Sequence, residues 1–90
     1  MSQAIVDPSE LRKFAKDLAR FNQEIQDLVG GIHSRMRSLE STWRDQEQRK
    51  FAESFTETVR VLARFVDSSE QHVAFLNKKA QLAEEYLKRR

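Results

Sequence analysis

An all-α fold, a hairpin of two long antiparallel helices, is predicted by three properties of this sequence of 90 residues. Only 2 glycines and 1 proline interrupt a chain that is 33% charged and rich in Ala, Leu, Gln, Glu, Lys and Arg, a composition that suits long helices and disfavours sheets. Apolar residues recur in steps of three and four, the spacing of one helical face. Two helix-start signals, at Asp7 and Asp45, divide that pattern near its middle. At this length a single domain, 1–90, is expected, and its apolar surface must be used efficiently or shared with a partner.

The first helix starts at Asp7-Pro8-Ser9-Glu10: Asp7 can accept from free amides, Pro8 suits the first helical position, and Glu10 sits at the capping-box position. From there Leu11, Phe14, Leu18, Phe21, Ile25, Leu28 and Ile32 alternate steps of three and four, which reads as a coiled-coil seam. Two consecutive steps of four at Leu28, Ile32 and Met36 amount to a stutter, and the seam continues in shifted register to Leu39 and Trp43. Gly30-Gly31 lies inside this pattern, where each glycine costs about 1 kcal/mol relative to alanine. The pair can break the helix, but the apolar spacing passes through it uninterrupted, which favours a continuous helix over 8–41 after a tail over 1–7. A close approach by another helix is a second use for two residues without side chains.

Ser41 to Gln48 holds one large aromatic among polar residues, and Asp45 followed by Gln48 is another capping-box pattern. A turn over 42–46 containing Trp43, then a helix over 47–88, is the expected layout. The second helix carries a stripe at Phe51, Phe55, Val59, Leu62, Val66, Ser69, Val73, Leu76, Ala80, Ala83 and Leu87. Beside it lies a further set, Val61, Phe65, Phe75, Leu82 and Tyr86, which widens the apolar arc beyond what one partner helix covers. These five residues are the candidate dimer interface, and two hairpins joined through them would form a four-helix bundle.

Charge and chemistry narrow the function. The 16 basic and 14 acidic residues are interspersed, so the net charge of +2 is not a basic face and no nucleic-acid partner is expected. Cations at Lys78-Lys79 and Lys88-Arg89-Arg90 complement the dipole at a helix C-terminus. The absence of cysteine excludes disulfides and thiolate sites. His33 and His72 are far apart and lack ligand-spaced neighbours, so no metal is expected; His72 adjoins the second stripe and could tune assembly with pH. No carboxylate pair, nucleophile arrangement or phosphate-binding loop appears, which predicts a non-enzymatic protein without catalytic residues or cofactors. Nothing in Met1–Val6 resembles a signal peptide and no stretch is apolar enough to span a bilayer. Cytoplasmic synthesis without membrane insertion follows, and any export would proceed without a cleaved signal peptide.

Trp43 near the midpoint, Phe51 eight residues after it, the Val6-Asp7-Pro8 start and the two long helices together resemble the WXG-type family, small helical hairpins of type VII secretion related to the early secreted antigenic target proteins. The resemblance implies a homodimer, or a heterodimer with a related chain, acting as a substrate or accessory of that secretion. It further implies recognition through the turn, with Trp43 flanked by Arg44 and Asp45, by a secretion ATPase or a toxin partner. A tryptophan at such a corner can equally plug the end of the bundle. A non-secreted adaptor or chaperone-like module for a larger protein is the rival reading. Two positions depart from the family pattern: Asp45 replaces the glycine of Trp-X-Gly, and Arg90 stands where a C-terminal Tyr-X-X-X-Asp/Glu signal starting at Tyr86 would have its acid. Both Asp and Gly serve as N-caps, so the turn should survive. The missing acid would have to come from a partner.

Overall fold

Each helix begins where an aspartate can hold its first free amides. In the computed structural model, which describes residues 6–89, extended Asp7 accepts from the Ser9 amide at 2.9 Å and Pro8 opens α1, Pro8–Leu39. Glu10 pairs with Lys13 at 3.3 Å along the same helix, so its carboxylate serves an i,i+3 ion pair instead of the capping box. Asp45 accepts from the Gln48 amide at 2.9 Å and opens α2, Gln46–Lys88. The two helices pack antiparallel into a rod of 68 × 22 × 13 Å, with no strand among the described residues.

α1 ends at Leu39, two residues short of the expected boundary at 41. The cause is local competition for the last carbonyls. The Ser41 and Thr42 hydroxyls donate to the carbonyls of Ser38 and Leu39 at 2.8 and 3.2 Å, while the amides of Thr42 and Trp43 both reach the Leu39 carbonyl at 3.0 Å. Arg44 closes the set by donating Nε to the Glu40 carbonyl at 3.0 Å. These bonds satisfy the C-terminal carbonyls without a left-handed residue, and none occurs among the described residues.

α1 runs unbroken through Gly30 and Gly31. A methyl group added at either would meet nothing within 4 Å, so no packing contact inside the hairpin requires glycine there.

The seam between the helices corrects the register expected for α1. Leu11, Leu18 and Ile25 do face α2, but the positions between them are filled by buried Ala15 and Asn22 and half-buried Val29. Phe14, Phe21 and Leu28, expected in the seam, are 57%, 46% and 70% exposed, and Ile32 and Leu39 also lie open. His33 and Met36 carry the seam on towards the turn. On α2 the expected stripe holds better: Phe55, Val59, Val66, Ser69, Val73, Leu76, Ala80 and Ala83 are buried or half-buried, whereas Phe51, Leu62 and Leu87 are exposed.

Small side chains account for the difference. The most buried apolar residues are Ala15, Val66 and Ala80, joined by Asn22 and Ser69, and no large side chain is fully buried. Such a seam of small side chains suits a close approach of the two helices along this stretch and leaves Phe14 and Phe21 outside it. Asn22 is 3% exposed, and neither atom of its amide has a hydrogen-bond partner among the described residues.

Candidate partner-binding face and turn

The residues displaced from the seam collect on one broad side of the hairpin. Phe21 of α1 and Phe65 of α2 meet edge-to-face with ring centroids 6.3 Å apart, so the outward stripes of the two helices share that side. Phe14 and Phe75 lie on it too: with Leu18, Phe65, Ser68, Ser69, His72 and Leu76 they line an open groove of about 490 Å³. The expected interface residues Val61, Phe65, Phe75, Leu82 and Tyr86 are all exposed, by 47% to 69%. α1 contributes Phe14, Phe21 and Leu28 as well, although their spacing predicts the seam for them. The offset spacing Leu11, Ala15, Leu18, Asn22, Ile25, Val29 is the signal that separates the two sets.

Surface area measures how incomplete this arrangement is. The hairpin exposes 7598 Å², whereas a compact monomer of 10.6 kDa exposes about 5,500 Å². The surplus of about 2,000 Å² is on the scale of a stable protein interface.

At the turn end, Trp43 is half-buried and packs on Phe51 with centroids 5.9 Å apart. Phe51 stacks on Phe55 at 5.9 Å, and Phe55 lies 6.4 Å from the ring of His33. Trp43 thus caps an aromatic row leading into the seam. Arg44 and Asp45 are each engaged by backbone, Arg44 with the end of α1 and Asp45 with the start of α2.

The opposite end is tied by Arg12, whose Nε and Nη2 each donate to Glu84 at 2.9 Å, with Nη1 3.4 Å from Asn77 Oδ1. The paired hydrogen bonds hold the Glu84 carboxyl below its ordinary value, against partial burial and assisted by the charges of Arg12 and Lys88. The same bonds raise the Arg12 guanidinium.

No group of three or more His, Cys, Asp or Glu side chains among the described residues could hold a metal. No helix among them is long and apolar enough to cross a membrane.

The family described as proteins of 100 residues with WXG matches over residues 3–86. The chain belongs to the WXG100 family. Asp45 of this WXG100 protein stands where the motif has glycine, and its extended backbone, φ −95, is the ordinary geometry of a helix N-cap, close to the φ −99 of Asp7 at the start of α1. No left-handed conformation is needed, so aspartate fits and adds its side-chain cap. Two solved structures have the same fold: the secreted protein EsxB from Bacillus anthracis str. Sterne, in wild-type form and as a point mutant. Each has a TM-score of 0.81 and 22% identity, covering 90% of this chain and 87% of EsxB. No curated protein matches the sequence. The other departure from the family pattern, Arg90, lies outside the described residues.

Proposed function

We propose that this WXG100 protein is a non-enzymatic, dimeric substrate or accessory of a type VII secretion system, exported without a cleaved signal peptide after synthesis in the cytoplasm. The observation that carries this reading is the apolar face along the hairpin, with Phe14, Phe21, Phe65 and Phe75 on one side and no large side chain fully buried without a partner. A second hairpin, its own copy or a related WXG-type chain, would cover that face through Val61, Phe65, Phe75, Leu82 and Tyr86 and complete a four-helix bundle. The turn with Trp43, Arg44 and Asp45 would then stand free at the bundle's end for a secretion ATPase or a toxin partner. Membership of the family and the likeness to a secreted protein support the export role.

Fractionating cultures of the native host tests it. The reading expects the protein in the medium, and its loss from the medium when the secretion ATPase is deleted. Confinement to the cytosol while the same system exports other cargo would overturn the export role.

Arg90 as the fourth residue after Tyr86, where the family's Tyr-X-X-X-Asp/Glu signal has an acid, favours a second reading, a non-secreted adaptor for a larger protein. A partner that co-purifies through high salt and is lost on changing Val61 or Phe65 to aspartate, with no export, would select it.

A further inference from the structure

We propose that a row of charges on α2 selects a second copy of this chain as the partner and fixes how that copy lies, antiparallel along α2 in a single register. This rests on the dimer reading above and adds to it the identity and alignment of the partner.

The outward stripe of α2 runs from Phe51 to Tyr86 in unbroken alternation of three and four, and every member of it is exposed. One residue before alternate members stands a second row, Lys50, Glu57, Arg64, Gln71, Lys78 and Glu85, each seven after the last and each exposed. A row at this position borders the apolar stripe, so when two such helices pair antiparallel it meets its own copy. Within the hairpin Glu57 reaches Arg60 and Arg64 at 3.2 and 3.8 Å, whereas Lys50, Lys78 and Glu85 are in no ion pair among the described residues.

One alignment makes every charged contact along the row attractive. With Arg64 opposite Gln71 of the copy, Lys78 falls opposite Glu57 and Glu85 opposite Lys50, and the two-fold axis repeats both pairs. Sliding the copy one heptad in one direction sets Arg64 on Lys78 and Glu57 on Glu85. Sliding it the other way sets Arg64 on its own copy and Lys50 on Lys78. Both slides replace attraction with like-charge contacts. A slide of two heptads leaves about a third of α2 uncovered. The attractive alignment instead lays α2, Gln46–Lys88, on its copy along its full length. It also sets large side chains against small ones, Phe65 on Ser68 and Phe75 on Thr58.

α1 carries no comparable instruction. The charges beside its outward stripe, Glu10, Asp17 and Glu24, are also seven apart but all acidic, and Lys13 and Arg20 hold the first two at 3.3 Å. Laying the copies with both turns at one end would set α1 against α2 of the copy, where these already paired acids have less to gain.

Sedimentation equilibrium of the full chain at neutral pH and low salt tests this, with circular dichroism to confirm helicity. Lys78→Glu is expected to raise the dissociation constant of the homodimer about tenfold, since both symmetry-related pairs become repulsive. Adding Glu57→Lys to Lys78→Glu restores the pairs with their signs exchanged and is expected to bring the constant back to within about threefold of the wild type. The chain has no cysteine, so the register is read separately with two single variants, Glu57→Cys and Lys78→Cys. On oxidation an equimolar mixture is expected to form the mixed disulfide, while either variant alone stays uncrosslinked, its two thiols about 30 Å apart along the axis. A monomeric wild type would overturn the dimer reading and this inference together. A wild-type dimer insensitive to Lys78→Glu, a double variant no tighter than Lys78→Glu, or a dimer that gives no mixed disulfide would overturn the charge row and leave the dimer reading standing.

Discussion

Asp45, where the family motif has glycine, caps α2 with its carboxylate. Its Oδ1 holds the Gln48 amide at 2.9 Å in extended geometry, so Asp45→Ala is expected to cost about 1 kcal/mol in denaturant unfolding at fixed protein concentration. Asp45→Gly, which restores the family motif, should cost only a few tenths of a kcal/mol, because glycine leaves the amides open to water. A large loss in the glycine variant would mean that the carboxylate has a further partner. Trp43 is a heavier contributor through its contact with Phe51. Being half-buried, it should cost about 2 kcal/mol on truncation to alanine, less than a fully buried tryptophan, and a loss below 0.5 kcal/mol would argue against the end-plug role. Arg12 and Glu84 give the molecule an acid-side dependence. Because the folded carboxyl is lowered, its contribution is present above the unfolded carboxylate value and disappears as pH falls through the folded one. The difference in melting temperature between wild type and Glu84→Gln should therefore be constant from pH 5 to 8 and vanish on further acidification. Persistence of the difference at pH 2 would contradict the pairing.

At the scale of the helices, the glycine pair offers a direct test. Gly30 and Gly31 have ordinary helical backbone and open space where a methyl would go. Gly30→Ala and Gly31→Ala are each expected to stabilise the protein by about 1 kcal/mol in denaturant unfolding, and destabilisation by either would mean that another chain packs closely on that side. The helices themselves were legible in the sequence, since Asp7-Pro8 and Asp45 mark both starts and the α2 stripe picks out its buried face. The face of α1 was less so, for a physical reason. Leu11, Leu18 and Ile25 belong equally to a stripe with Phe14, Phe21 and Leu28 and to one with Ala15, Asn22 and Val29. Hydrophobicity favours the first, but the distance between two closely packed helices favours the second, and distance is a tertiary property. Asn22 in particular gave no sign of being buried. The outward stripe on α2 was visible because α2 carries more apolar residues than one seam can take. Its continuation on α1 rests on a tertiary contact, Phe21 against Phe65, which no local pattern encodes.

A rod 68 Å long, with alanines at the core of its seam and phenylalanines on its outside, has the burial pattern of half a bundle. Its excess surface, its low net charge and the heptad spacing of the outward stripes all favour a second hairpin laid along the same face. The role of the turn and the ends depends on this, since a dimer fixes which surfaces remain free for other proteins. The most direct measurement is sedimentation equilibrium at micromolar concentration and neutral pH, comparing wild type with Phe65→Asp. A dimer is expected for the wild type and a monomer of reduced stability for the variant, because a charge on that face cannot be buried unpaired. A wild type that is monomeric with full helicity, or a Phe65→Asp variant that dimerises as tightly as the wild type, would contradict it.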